Sequence, residues 1–382
     1  MTTDIRVANE FLESLILHPK TAGEVRGGET LFYPWNENMP YSSDIYAAEI
    51  EKEPGRDFVI LNFGDIQCHD GEAFSEVGEF AEETMEKLIR KTNPDLITLT
   101  GDNAFDSFAY LRLINFLDSY GIPWAAVMGN ADHTDLVSEF WGAYRMAEAK
   151  HCLFDYGPKL RDDGDMGYGN YMVNITENGR VVHTLFFVDT HHEDEMQAGS
   201  YDHLYNSQIA WYKWAVNGIT AECGRIVPST VFMHIPVPEY RDAWEAALDP
   251  NTGKPAAPYA DELFCCVNET MGYPRFNNGF FDVCHALGST KTMLCGHDHV
   301  NCFALPHRGI VLAYTMKNGY GCYWTKELNG GTTVTVTEDG AARVAHHYID
   351  PKASQVKKFL LDYYGINRYG EGVRPHFTKE TE

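Results

Sequence analysis

The chain has 382 residues, 44% hydrophobic and 22% charged, enough for a large core in one large domain or two ordinary ones. With 55 acidic against 30 basic residues the net charge is −25, which argues against a long nucleic acid or an anionic membrane as partner. Nine irregularly spaced cysteines, no leader-like N-terminus and no apolar run near the roughly 20 residues of a membrane span point to a cytoplasmic protein with reduced thiols.

Apolar positions Ile5, Val7, Ala8, Phe11, Leu12, Leu15 and Ile16 predict a helix over 4–18, ended by Pro19 and Gly23. Residues 20–56 read as an irregular arm, and 1–56 as an N-terminal appendage to the main domain. A rhythm then begins. Phe58-Val59-Ile60-Leu61-Asn62-Phe63, Leu96-Ile97-Thr98-Leu99-Thr100 and Trp124-Ala125-Ala126-Val127-Met128 read as buried strands. Helices are expected over 76–92, 107–120 and 134–149. Strand, helix, strand, helix, strand means βαβ units and a largely parallel sheet.

Further on, 170–175 and 181–188 flank the hairpin signal Glu177-Asn178-Gly179. A helix near 206–219 and a strand at 230–233 follow. Residues 249–278, with four prolines, read as an inserted loop near a cleft. Strands are expected over 289–294 and near 301–305, 309–315, 332–338 and 342–348. Two β-rich blocks with helices between them predict an α/β fold of two packed sheets with helices outside, spanning 57–350. Residues 351–382 form a tail.

In such folds ligands sit beyond the carboxyl ends of the strands. Five strand ends are followed by polar groups: Asp65 and Gln67, Asp102, Asn130 with Asp132 and His133, His234, and His297-Asp298-His299. Any one of these has an ordinary reading as a cap or turn residue. Together they supply anionic oxygens, neutral oxygens and imidazole nitrogens, the donors a pair of divalent ions needs.

The order Asp-x-Gln, Gly-Asp, Gly-Asn-Ala-Asp, lone His234 and Gly296-His297-Asp298-His299 resembles the calcineurin-like metallophosphoesterase superfamily. Phe232-Met233-His234-Ile235-Pro236, Gln208-Ile209-Ala210-Trp211-Tyr212 and Lys317-Asn318-Gly319-Tyr320-Gly321 are similar to a non-purple, purple-acid-phosphatase-like branch. The resemblance implies a four-layer α-β-β-α sandwich. It implies that Asp65, Gln67 and His299 hold one metal, that Asn130, His234 and His297 hold the other, and that Asp102 bridges them. Two ions roughly 3.5–4 Å apart would then hydrolyse a small phosphate monoester or diester by attack of a metal-bound hydroxide, with Asn130 helping to stabilise the developing charge.

Three positions depart from the family. Gln67 replaces a His, which loosens the first site and favours Mn²⁺ or Mg²⁺ over Zn²⁺, unless Gln67 merely supports the ligands. Ala131 replaces the His that assists the leaving group. His133 is the expected substitute, with a helix-capping role as its alternative, and His69 is a second imidazole near the first loop. Phe105 stands where purple acid phosphatases carry an iron-binding Tyr, so no obligatory ferric ion is expected. Tyr320, between two glycines, either meets substrate or packs. In the Asp189-Thr190-His191-His192 segment at most one imidazole is expected to reach the cleft. The competing reading is a degenerate fold acting as a non-catalytic binding or scaffold module.

Overall fold

The apolar runs become strands. In chain order these are β1 (Tyr33–Pro34), β2 (Ala47–Glu51), β3 (Phe58–Phe63), β4 (Leu96–Thr100), β5 (Trp124–Val127), β6 (Pro158–Lys159), β7 (Tyr171–Glu177), β8 (Arg180–Phe187), β9 (Ser229–Phe232), β10 (Thr290–Cys295), β11 (Phe303–His307), β12 (Ile310–Tyr314), β13 (Gly330–Val336) and β14 (Ala342–Tyr348). The computed structural model describes residues 32–68, 75–134, 136–159, 166–194, 199–260 and 264–349. The helix expected over 4–18, His69 and the C-terminal tail lie outside the described residues.

Two sheets carry the fold, one in the order β14-β13-β3-β4-β5 and one in the order β11-β12-β10-β9-β8-β7-β2. The β3-β4-β5 run is parallel, as its rhythm predicts. The hairpin β13-β14 joins β3 antiparallel, and in the other sheet β7-β8 and β11-β12 are antiparallel pairs. Both sheets are therefore mixed, the first with two parallel pairs of four and the second with four of six. The arm is also less irregular than expected, because β2 adds a parallel edge strand beside β7.

Alternation along each strand separates the faces. Val173, Ile175, Leu185 and Phe187 turn inward and share one core with Ile60, Leu99 and Ala126 of the other sheet. Met172, Phe186, Val231 and Met293 turn outward beneath Trp211 and Tyr212 of the helix Asn206–Cys223. Helices Ser75–Thr92, Ser107–Ser119 and Glu139–Glu148 belong to the first core, and Glu239–Ala247 and Phe280–Leu287 to the second. The result is helix, sheet, sheet, helix.

The third helix starts later than predicted. Asn130–Asp132 forms a 3₁₀ turn, and Ser138 is the true cap, its Oγ accepting from Trp141 N (3.2 Å). His133 is thus not the cap. Residues 268–272 of the expected insertion lie against the histidine loop: Gly272 N donates to Asp298, Val300 N donates to Glu269, and Asn268 N donates to Asn301.

Candidate metal centre

Strands β3, β4, β5, β9 and β10 end side by side, and their following loops meet in one place. Non-glycine residues rarely adopt a positive φ. Four of the nine that do so among the described residues are Asp65 (52°), Gln67 (48°), Asp102 (52°) and His297 (78°). Such conformations persist only where the surroundings enforce them, and they cluster at functional sites. Two glycines let these loops close up. A Cβ at Gly129 would lie 2.3 Å from Asp102 Oδ1, and one at Gly101 2.6 Å from His234 Nδ1.

The centre of the site is His234 Nε2. On the far side of the ring, Nδ1 donates to the backbone oxygen of Thr100 (2.8 Å), which leaves the Nε2 lone pair facing inward. Around Nε2 stand Asn130 Oδ1 at 3.0 Å, Asp102 Oδ1 at 3.2 Å and His297 Nδ1 at 3.2 Å. The oxygens are acceptors only. A fit test follows from the spacing: donors about 2.1 Å from one ion lie about 3.0 Å apart at right angles and about 3.4 Å apart at tetrahedral angles. Each of the three donors thus lies at a separation from His234 Nε2 that a shared divalent ion allows. Asp65, Asp102 and His234 also offer one donor each within 4.8 Å of one another.

Outer contacts hold the donors in place. Asn130 Nδ2 donates to Glu193 Oε1 (3.1 Å), which turns the amide oxygen toward His234. Tyr201 packs edge-on against the His297 ring at 4.3 Å, and His297 N donates to both Asp65 oxygens. Asp132 is not part of the donor set. It is buried and accepts from Asn103 N, Asn103 Nδ2, Gly129 N and Tyr110 Oη, tying the β4 and β5 loops together. Burial would depress the His234 pKa, but the Asp102 and Asp65 carboxylates outweigh it and the net shift is upward. Burial, with His234 adding to it, pushes His297 well below its ordinary value.

The second expected donor group is arranged differently. His299 donates from Nδ1 to Tyr323 O (2.7 Å) and turns Nε2 toward Asp65 Oδ1 at 3.5 Å. Gln67, expected to offer its oxygen to a metal, instead accepts there from Lys317 Nζ (3.0 Å), while its Nε2 donates to Asp102 Oδ2 (2.9 Å). Flipping the amide would set N–H against ammonium and oxygen against carboxylate, so the orientation is determined by its neighbours. Lys317 is only 2% exposed and was missed as a site residue. The same strand-end rule would have found it, since it lies just past β12.

The remaining candidates separate. His133 is exposed, with its ring 5.5 Å from that of His192, and His192 Nε2 meets Glu139 Oε2 at 2.9 Å. His191 goes to Gln208 instead, so the two imidazoles do point apart. Tyr320 is buried and packs, its ring 4.7 Å from Phe80 and 6.2 Å from Trp324.

A model of the family described as calcineurin-like phosphoesterase matches residues 58–301, more than half of the chain and the whole donor cluster. The chain belongs to the calcineurin-like phosphoesterase family. It is similar to "Probable inactive purple acid phosphatase 28" of Arabidopsis thaliana, 27% identical over 260 residues, covering 63% of this chain and 62% of that protein. It is also similar to "Phosphatase DCR2" of Saccharomyces cerevisiae, 25% identical over 261 residues, covering 64% of this chain and 43% of that one. The matched region thus spans less than two thirds of these relatives. Among solved structures, a dimetal phosphatase from Danio rerio aligns over 72% of this chain and 92% of its own, at 12% identity and a TM-score of 0.43. Among the described residues no helix is long and apolar enough to cross a membrane.

Proposed function

We propose that this calcineurin-like phosphoesterase is a metal-dependent hydrolase of a small phosphate monoester or diester. The observation that carries the reading is the meeting of Asp102, Asn130 and His297 at His234 Nε2, within 3.2 Å. These four residues would hold a divalent ion. When bound, the ion supplies Lewis-acid activation of water and neutralises charge on the phosphoryl oxygens. Oxygen donors mixed with imidazole favour Mn²⁺. Asn130 spends one N–H on Glu193, and its other N–H is available to a phosphoryl oxygen. The net charge of −25 disfavours a long nucleic acid as substrate.

The name of the yeast relative supports hydrolysis, whereas that of the Arabidopsis relative supports a second reading, a binding module without turnover. Ala131, which cannot transfer a proton, and Gln67, whose oxygen is already taken, also favour that alternative. Hydrolysis of p-nitrophenyl phosphate and bis-p-nitrophenyl phosphate with added Mn²⁺ separates the two. Turnover abolished by Asp102→Ala supports the hydrolase, and no turnover with any divalent ion supports the binding module.

A further inference from the structure

We propose that this chain holds a single divalent ion, at Asp102, Asn130, His234 and His297, because Lys317 takes the Gln67 oxygen that a second ion was expected to use. The inference deepens the metal-dependent reading and rests on it.

Lysine is rarely buried unless its charge is compensated. Here Nζ is enclosed at the first loop, donating to the backbone oxygen of Asp65 and to Gln67 Oε1 (3.0 Å). The backbone around it is clamped on both sides. Lys317 forms parallel bridges to Gly64 and Asn329, Asn318 N donates to Gly64 O (2.9 Å), and Gly330 N donates to Lys317 O (2.9 Å). The side chain therefore enters the site from a fixed anchor.

This arrangement uses up the donors of the second place. The oxygen of Gln67 is engaged by Lys317, and Asp102 Oδ2, the atom free to bridge, accepts from Gln67 Nε2 (2.9 Å). Only Asp65 and His299 remain, facing each other at 3.5 Å. Two donors beside a fixed ammonium make a poor cation site. Charge points the same way. Asp65 and Asp102 contribute two negative charges, so Lys317 and one divalent ion leave a net charge of one positive. A second divalent ion would raise it to three positive in a buried site. Gln67 and Lys317 then form a matched pair: a carboxamide replaces the imidazole, and an ammonium engages the oxygen that would have met the ion.

The test counts metal in the full-length protein. Chelator-stripped protein is dialysed against Mn²⁺, the bound metal is measured by atomic emission, and the spin state is read by electron paramagnetic resonance. We expect one Mn²⁺ per chain with the spectrum of an isolated ion. The double variant Gln67→His, Lys317→Met is expected to take up two, with the broadened spectrum of an exchange-coupled pair. Two coupled ions in the unaltered protein overturn the inference. So does a folded double variant, checked by circular dichroism, that still holds one. No bound ion in the unaltered protein overturns the metal-dependent reading itself. If the double variant does not fold, the count on the unaltered chain decides.

Discussion

Asn130 Oδ1 lies 3.0 Å from His234 Nε2, with the proton of that imidazole committed to Thr100 on the opposite side. The amide is turned this way by Glu193, which receives its N–H. Outer partners of this kind typically contribute about 10–100-fold in metal affinity. Glu193→Ala should therefore weaken Mn²⁺ binding by about that factor in calorimetric titration. The melting temperature of the metal-free protein should stay unchanged, because Glu193 is exposed.

Binding to the folded state alone should also stabilise it. Saturation at 100 times the dissociation constant adds about 2.7 kcal/mol, so Mn²⁺ should raise the unfolding midpoint of the protein. The same addition to a His234→Ala variant should leave the midpoint nearly unchanged. An equal rise in both would place the ion elsewhere.

Ala131 leaves the family's leaving-group position without a proton. His133, two residues on, is exposed beside His192, and the hydrogen bond that His192 donates to Glu139 raises the His192 pKa to about 9. If His133 serves as the acid, His133→Ala should lower kcat on an alkyl phosphate by about 10²–10⁴. It should change turnover of an activated aryl phosphate far less. Unchanged rates on both would exclude His133.

Tyr171 joins the two sheets. Its hydroxyl donates to Ala126 O (2.8 Å) and accepts from Ala126 N (2.9 Å), satisfying backbone groups on the buried outer edge of β5, while its ring stacks on Phe187. Tyr171→Phe keeps the stacking and strands two buried backbone groups. The expected loss is about 2–4 kcal/mol in urea unfolding.

Acid stability should depend on His183. Its two nitrogens meet Gly340 O and Thr230 Oγ1, each at 2.9 Å, and burial pulls its pKa from 6.5 to about 4. Between those values the unfolded chain binds the proton and the folded one does not, so stability falls as pH drops through this window. Below about pH 4 the loss is complete, on the order of 3 kcal/mol. His183→Gln should flatten the curve of unfolding free energy against pH from 6.5 to 4.

Much of the fold was legible in local pattern. The strands at 58–63 and 96–100 and the helix following each match the structure within a residue or so, because continuous apolar runs and strong periodicity leave little choice. The helices Glu239–Ala247 and Phe280–Leu287 were not read. Both are short, nine and eight residues, and each borders the proline-rich insertion. The strand Ala47–Glu51 was hidden among turn residues, and its pairing with β7 comes from more than a hundred residues away.

The site divides along the same line. Sequence order was enough to place Asp65, Asp102, Asn130, His234, His297 and His299 together, since polar residues at the carboxyl ends of neighbouring strands must share a cleft. It could not say which end of Gln67 faces inward or that Lys317 would engage its oxygen. A carboxamide has a donor end and an acceptor end, and only its neighbours choose between them. Here one neighbour is an ammonium 250 positions along the chain, brought into contact by the pairing of strand ends that no local pattern encodes.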